Sequence, residues 1–236
     1  MSTTEGFAPA ELIKVVRHFE EFGVSLAPVC ERVFDSADVL PRALELGYVS
    51  ENGQLEGTDL SMLTIGPKAE KLATKNASAA TTSRGWGALK LDLRYLAYLW
   101  HCCMEPRRRV LLDAKRSKLD WRGTRLHGVH SIELANKRSI VRRLYVPTLK
   151  APSYEVARYV TQELSSKRNR EAAAAAWSNA IYRVTVFVDD EDRLAELSNA
   201  VARKTTDIKV EFRMAPSEGS IAQFLAEAAR TDSAAA

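Results

Sequence analysis

Three stretches with apolar residues at helical spacing open the chain. The first, residues 8–22, predicts a helix that Gly23 ends, because its apolar positions recur every three or four residues: Leu12, Val15, Val16, Phe19 and Phe22. Residues 25–36 and 36–46 repeat this pattern over shorter lengths. The third stretch contains Pro41, which a helix tolerates in its first turn. The pattern therefore predicts three consecutive helices.

A hairpin signal follows the third helix. Asn52-Gly53 lies between short apolar segments, and this dipeptide is the one that a tight two-residue hairpin turn favours. A further helix is predicted to follow the hairpin and to end the first domain near residue 75. Residues 76–83 are small and polar without periodicity, which is typical of a linker.

The second predicted domain covers residues 84–225 and mixes helices with strands. Residues 89–104 are apolar on nearly every side, which favours a buried helix, and the segment 107–150 alternates short apolar runs with Arg and Lys, as strands do. A helix from Ser153 with a break near Ser165 is followed by strand 181–190, helix 191–205 and strand 208–214. This order predicts a parallel strand pair. Residues 226–236 are predicted to be a frayed tail.

The first domain resembles a winged helix-turn-helix. The segment LELGYV…NGQ…SMLTIGPKAEKL is similar to the end of that module in many bacterial regulators, and the resemblance covers about residues 8–75. It implies that helix 36–46 is the recognition helix and that the hairpin is the wing. The fold class predicted for the whole chain is α+β, an N-terminal winged helix followed by a small α/β domain with a basic mixed sheet.

The charges of this module favour two different uses. Helix 36–46 offers Arg42 against Asp38 and Glu45, and the wing carries three acids, Glu51, Glu56 and Asp59, with no cation. A helix inserted into a DNA groove usually adds Arg, Lys, Asn or Gln. The module is thus expected either to read bases or to dock a protein partner or a second copy, and the second use fits its acidic character at least as well.

Charge is distributed unevenly along the chain. Residues 84–150 hold 16 Lys and Arg against 5 Asp and Glu, a net of +11, whereas residues 1–83 come to −5 and residues 151–236 to −2. Like charges packed this densely repel one another unless a polyanion neutralises them, and nucleic-acid phosphates are the common answer. The residues predicted to hold phosphates are Arg107, Arg108, Arg109, Lys115, Arg116, Lys118, Arg122, Arg125, Lys137, Arg138, Arg142 and Arg143. The alternatives are a solvated face and, less favoured, a membrane surface.

The expected setting is cytoplasmic. No run approaches the length of a membrane helix, and the N-terminus lacks the pattern of a secretory signal. Three cysteines, Cys30, Cys102 and Cys103, are expected to be reduced. His101, Cys102, Cys103, His127 and His130 do not have the spacing of a zinc site, so neither a metal nor another cofactor is predicted.

A nuclease is the enzymatic alternative. Asp113-Ala114-Lys115 follows an apolar run and Asp92 lies upstream of it. Restriction-endonuclease-like enzymes bind Mg²⁺ with two carboxylates and use a lysine to activate water. The Asp92, Asp113 and Lys115 set matches that pattern weakly, because Asp-x-Lys is common and residues 92–103 are predicted to be helical.

The order of the domains resembles that of plasmid replication-relaxation proteins, which join a winged helix to a nuclease-like α/β domain. In that alignment the acidic position of the key strand falls in RRLYVPTL, which contains no carboxylate. The resemblance implies a nuclease-derived fold without the nuclease site. The sequence therefore predicts a non-enzymatic protein that binds nucleic acid, DNA in the first place, through its phosphate backbone, in a bacterial, phage or plasmid setting. The third alternative is a subunit of a larger nucleoprotein assembly.

Overall fold

The chain folds into two compact units. The computed structural model describes residues 9–34, 36–76, 93–105, 107–113, 128–135, 138–148, 150–177, 179–204, 206–217 and 219–235. One unit is Met1–Asp92 together with Glu218–Ala236, and the other is Leu93–Ser217. The predicted linker 76–83 lies outside the described residues except for Asn76. The mixed α+β class predicted from the sequence is confirmed.

In the described residues 9–34 and 36–76, the N-terminal part of the first unit has four helices and three strands. The helices are α1 (Pro9–Phe22), α2 (Ala27–Val33), α3 (Val39–Glu45) and α4 (Pro67–Asn76), and the strands are β1 (Val24–Leu26), β2 (Val49–Gln54) and β3 (Ser61–Ile65). The helical periods of the sequence predicted α1 and α3 to within a few residues. The start of the second helix was predicted too early, because residues 24–26 pair with β3 as a fully buried strand.

The hairpin has its turn later than the sequence predicted. Asn52 and Gly53 lie inside β2, where the register with β3 shifts between Glu51 and Gln54. Gly53 takes a φ of +84° at this bulge, a conformation that suits glycine. The chain reverses instead after Leu55, whose N–H donates to the carbonyl of Leu60 at 2.9 Å. The two-residue turn prediction is therefore wrong, and the hairpin is longer than expected.

The second unit is built on a five-stranded sheet, counted over the residues that the structure describes. Its strands are β4 (Val110–Asp113), β5 (Val129–Ala135), β6 (Arg138–Tyr145), β7 (Ile181–Val188) and β8 (Val210–Met214), in the order β4-β5-β6-β7-β8. The pairs β4–β5 and β5–β6 are antiparallel, whereas β6–β7 and β7–β8 are parallel. The predicted mixed sheet and the predicted parallel pair are confirmed.

Helices cover the apolar face of this sheet. They are α6 (Ser153–Arg158), which continues as a π-helical segment over Tyr159–Leu164, then α7 (Lys167–Ala176) and α8 (Glu191–Ala202). The helix that precedes β4 in the chain is α5 (Leu93–Leu99), which continues as a π-helical segment over Trp100–Met104. Val141, Val184 and Val186 of the sheet are fully buried against Val160 and Leu197 of the helices. The predicted break near Ser165 is present.

The last helix, α9, spans Ile221–Ala235 and groups with the first unit. The sequence predicts a frayed tail from residue 226, whereas the helix continues to Ala235. None of the helices in the described ranges is both long and apolar enough to cross a membrane. Cys30, Cys102 and Cys103 are buried, and none of them forms a disulfide.

Candidate functional site

The face of the sheet opposite α6–α8 carries a row of charged side chains. Because side chains alternate along a strand, the register places Glu133 of β5, Arg142 of β6, Arg183 of β7 and Glu211 of β8 on one side. We call this the charged face. The buried valines of β6 and β7 point to the other side. The face that points to α6–α8 therefore builds the core, whereas the charged face combines these ions with buried apolar side chains, including Leu144 and Phe187.

The carboxylate of Glu133 accepts hydrogen bonds from three arginines. Its Oε2 accepts from Arg142 Nη1 at 2.8 Å and from Arg109 Nε at 3.0 Å, and its Oε1 accepts from Arg107 Nη1 at 3.0 Å. Burial raises the pKa of this carboxyl group, but the hydrogen bonds from Arg107 and Arg109 outweigh burial and lower it to about 2. Glu133 is therefore ionised at neutral pH.

Glu211 extends the ion pairs across the sheet to β8. Around Glu211, Arg183 Nη1 lies 2.8 Å and Lys209 Nζ 3.3 Å from Oε1, while Arg213 and Arg142 lie 3.6 and 3.7 Å from Oε2. Burial opposes ionisation of Glu211, yet the hydrogen bond from Lys209 and the nearby arginines lower its pKa.

Glu105 follows the π-helical end of α5 and completes the network. Its Oε2 lies 2.6 Å from Arg109 Nη1, and its Oε1 pairs with Arg213 and with His101 Nδ1. Its pKa is well below its usual range because the hydrogen bonds from His101 and Arg213 outweigh the effect of burial. Arg213 thereby links β8 to the end of the helix.

The network has more positive than negative charge. Among the described residues its cations are Arg107, Arg109, Arg142, Arg183, Lys209 and Arg213, and they share three carboxylates, Glu105, Glu133 and Glu211. With His101 neutral, this leaves a net +3. The charge is most accessible at Arg107 and Lys209, whose side chains are 70% and 65% exposed.

The twelve arginines and lysines predicted to hold phosphates occupy very different environments. Arg107, Arg108 and Arg138 are exposed. Arg109 and Arg142 are 6% and 4% exposed and are held by Glu133. Side chains this buried have no surface to offer to a phosphate, so we assign these two a structural role instead. Six lie outside the described residues: Lys115, Arg116, Lys118, Arg122, Arg125 and Lys137.

Arg143 lies on the other side of the sheet. Its Nη1 donates to the carbonyl of Val129 at 3.1 Å, and its guanidinium occupies the space where Gly128 would carry a Cβ. Next to it, His130 is 2% exposed, and burial together with the charge of Arg143 lowers the pKa of the imidazole to about 3. On the same strand, the Tyr145 ring packs on Tyr159 with ring centroids 5.2 Å apart.

The residues of the predicted nuclease site are only partly described. Asp113 ends β4 opposite Val129, and Asp92 and Lys115 lie outside the described residues. The segment that follows Asp92 is α5, a helix, as the sequence predicted. The nuclease therefore stays a prediction. No group of three or more metal-ligating side chains lies together among the described residues.

A Ser–His–Glu chain lies where the charged face meets α5. Ser131 Oγ is 3.1 Å from His101 Nε2, and His101 Nδ1 is 3.1 Å from Glu105 Oε1. Burial lowers the pKa of His101 to about 4, so the ring is neutral at pH 7. The ionised Glu105 can only accept, so Nδ1–H donates to it and Nε2 accepts from the Ser131 hydroxyl.

Ser131, His101 and Glu105 are hydrogen-bonded in the order of a nucleophilic triad, but a substrate cannot reach the serine hydroxyl. Ser131 and His101 are 0% and 1% exposed, and the His101 ring packs edge-on against Phe187. A substrate carbonyl cannot reach a hydroxyl without exposed surface, because attack requires contact at about 3 Å. We interpret these two hydrogen bonds as structural contacts that hold α5 on the sheet.

Sequence reasoning missed several members of this network. Four of them lie outside the basic segment 107–150, in strands that were predicted from their apolar residues: Arg183, Lys209, Glu211 and Arg213. The signal that could have found them is the alternation of charges in KVEFRM, residues 209–214, which puts Lys209, Glu211 and Arg213 on one side of a strand.

Comparison with known proteins gives no relative for this chain. A scan against protein-family models, a search of curated proteins and a search of solved structures each found no match.

Proposed function

From this geometry, we propose that the protein binds nucleic acid, DNA in the first place, without catalysing a reaction, and that phosphates contact the charged face of the five-stranded sheet. The observation that carries the proposal is the excess of cations over carboxylates on that face. Partly exposed arginines and lysines that lack a full complement of acids favour polyanions, and the DNA backbone is the densest common polyanion.

The ion pairs support the proposal by ordering the cations. Glu133, Glu105 and Glu211 hold the arginines in fixed positions, so less side-chain entropy is lost when a phosphate binds. Arg107 is the clearest case, because one carboxylate oxygen fixes its Nη1 while the side chain stays 70% exposed. The proposed phosphate contacts on this face are Arg107, Arg138, Lys209 and Arg213, with Arg108 at its edge. The six cations outside the described residues remain part of the prediction.

The first unit is proposed to be a winged helix that docks protein. Its order of helices and strands, α1-β1-α2-α3-β2-β3, and its antiparallel sheet β1-β3-β2 support that assignment. The hairpin exposes Glu51, Glu56 and Asp59, which would repel a DNA backbone. We therefore propose that this surface binds a basic partner or a basic part of a second copy. The resemblance to plasmid replication-relaxation proteins stays a prediction.

Salt-dependent binding tests the proposal for the second unit. Binding of the full chain to labelled duplex DNA, single-stranded DNA and RNA would be measured over a range of salt concentrations. The test variant changes Arg107, Arg138 and Lys209 to Ala. The matched control changes three exposed cations on the helix side, Arg158, Arg203 and Lys204, to Ala.

We expect the wild type to bind duplex DNA with a steep dependence on salt. Each lost phosphate contact lowers the slope of log affinity against log salt by about 0.9, so the test variant should lose about 2 to 3 in slope and the control close to none. Equal losses in both variants, or no binding to any nucleic acid at low salt, would sink the proposal. A preference for RNA would replace DNA as the ligand.

The assembly alternative rests on the exposed acids of the hairpin. If the chain is a subunit of a larger nucleoprotein assembly, changing Glu51, Glu56 and Asp59 to Lys should abolish a defined oligomer or complex while leaving DNA binding intact. Light scattering of the wild type and this variant gives the answer. An unchanged mass would show that these three acids face solvent and hold no oligomer or complex together.

A further inference from the structure

A polar cleft of about 290 Å³ lies at the start of α7, among the helices that cover the apolar face of the sheet. Its lining includes Thr161, Ser165, Lys167, Arg170, Thr206 and Asp207. Ala173 of α7 belongs to the core between the helices and the apolar face of the sheet. The cleft is therefore on the side of the sheet opposite the charged face. The cleft therefore does not belong to the site described above.

Ser165 provides an unsatisfied hydroxyl in this cleft. The residue is 8% exposed, and its Oγ is buried without a hydrogen-bond partner. The neighbouring threonines are satisfied within the protein: the Thr161 hydroxyl donates to the carbonyl of Ala157 at 2.8 Å, and the Thr206 Oγ1 accepts from the Ile208 N–H at 3.2 Å. A buried hydroxyl without a partner is unfavourable, so a ligand that accepts a hydrogen bond from it would remove that cost.

The start of α7 favours a negatively charged ligand. The helix is ten residues long, and its N-terminus carries the positive end of its dipole. Because Ser166 Oγ already accepts from the Asn169 N–H and the Arg170 N–H bonds to the Ser166 carbonyl, the donors that this turn offers to a ligand are the N–H groups of Lys167 and Arg168. Lys167 and Arg170 lie in this turn and line the cleft. Lys167 has an i,i+4 contact with Glu171 at 3.5 Å, but both side chains are more than 60% exposed, so this pair holds the lysine only weakly.

Asp207 is the one acid among the described lining residues. Together with Lys167 and Arg170, it gives the cleft a net charge of +1. Asp207 therefore lowers the affinity for an anion, but the cleft stays positively charged. Removal of that charge should therefore strengthen anion binding, a consequence that a cation site would not share.

We infer that this cleft binds a phosphate-class oxyanion, with the Ser165 hydroxyl and the first turn of α7 as donors and Lys167 and Arg170 as counter-charges. The inference goes beyond the proposed function, since it concerns another side of the unit and a single anion rather than a polyanion. The anion is either free phosphate or the terminal phosphate of a nucleotide. Both sources present the same tetrahedral oxygens to the cleft.

Titration of the full chain with inorganic phosphate at constant ionic strength, followed by amide chemical shifts, tests this directly. We expect saturable shifts for residues around 165–170 and 206–208. Ser165→Ala should weaken phosphate binding about tenfold, because a hydrogen bond to a charged group is lost. This variant should fold normally, since the hydroxyl that it removes has no partner.

Charge variants decide whether the effect is specific. Lys167→Ala with Arg170→Ala should abolish measurable binding, and Asp207→Asn should tighten it several-fold. Arg168→Ala is the matched control, because this exposed cation lies in the same turn but does not line the cleft. If Arg168→Ala weakens phosphate binding as much as the double variant, or if the wild type shows no saturable shifts, the inference is overturned.

A pair of dinucleotides identifies the source of the anion. Tighter binding of a 5′-phosphorylated dinucleotide than of inorganic phosphate, with no binding of its unphosphorylated form, assigns the cleft to a nucleotide terminus. Equal binding of the phosphorylated dinucleotide and inorganic phosphate assigns it to phosphate alone. If the unphosphorylated form shifts the same amides equally, the phosphate is not recognised and the inference fails. Loss of DNA binding in the variants of the charged face would leave these results unaffected.

Discussion

Arg142 Nη1 lies 2.8 Å from Glu133 Oε2, and the side chains of both residues are about 5% exposed or less. This buried pair joins β5 to β6 and has Arg109 as a third member. Burial is the largest influence on the pKa of Arg142 and lowers it, and the nearby Arg109 lowers it further, while Glu133 opposes both. The carboxylate of Glu133, which pairs with both arginines, offsets the repulsion between their positive charges.

The first prediction follows from that shared carboxylate. Glu133→Gln leaves Arg109 with Glu105 alone and Arg142 with Glu211 alone, the latter at 3.7 Å, so we expect the free energy of unfolding to fall by about 3 kcal/mol. Urea unfolding followed by circular dichroism measures it. Glu163→Gln is the control, because Glu163 is exposed, and its change should stay within about 0.5 kcal/mol. A loss below about 1 kcal/mol for Glu133→Gln would contradict the role given to this residue.

The second prediction concerns acid. Burial lowers the pKa of His101 from its ordinary 6.5 to about 4, so between these values the unfolded chain binds a proton that the folded chain does not. The free energy of unfolding must therefore decrease as pH falls from about 6.5 to about 4, by at most about 3 kcal/mol from this residue. His130, whose pKa is lowered to about 3, acts in the same direction.

The variant His101→Gln isolates the contribution of one residue. Glutamine does not titrate, so the stability of the variant should decline less steeply than that of the wild type across the same pH range. Denaturant unfolding at several pH values gives both curves. Parallel curves would show that His101 is not held neutral by the fold.

The third prediction concerns a close approach of two backbone segments in the first unit. A Cβ at Gly66 would lie 2.5 Å from the carbonyl oxygen of Gly47 and 2.8 Å from the nitrogen of Val49. Backbone atoms cannot yield as a flexible side chain can, so Gly66→Ala should destabilise the unit by about 3 kcal/mol. The comparison is Gly219→Ala, where nothing lies within 4 Å. Equal melting temperatures for the two variants would refute the prediction.

The fourth prediction concerns the thiols. Cys30, Cys102 and Cys103 are at most 5% exposed, and burial raises the pKa of Cys30 to about 12. The thiolate is the reactive form, so an aromatic disulfide reagent at pH 8 should label none of them within minutes in the folded protein. In urea it should label all three. Rapid labelling of one thiol without urea would show that the segment around it opens.

The sequence alone determined the elements whose periodicity is strong. Residues 8–22 and the order strand, helix, strand over residues 181–214 were predicted closely, because a repeat of 3.6 or 2 apolar positions reflects the local backbone. The turn at Asn52-Gly53 failed because the pairing of β2 with β3 used that dipeptide as a bulge. Local turn preference is a small energy that strand register overrides.

The sequence also determined that residues 84–150 are basic, but only the tertiary structure decided what each cation does. Arg107, Arg109 and Arg142 are the same residue type in the same basic segment. Arg107 is exposed, whereas Arg109 and Arg142 are buried and pair with Glu133. Their partners Glu105, Glu133 and Glu211 come from a helix end and two separate strands. Net charge is a sum over the chain, whereas pairing depends on which strands become neighbours. That is a long-range property, and no local pattern of residues encodes it.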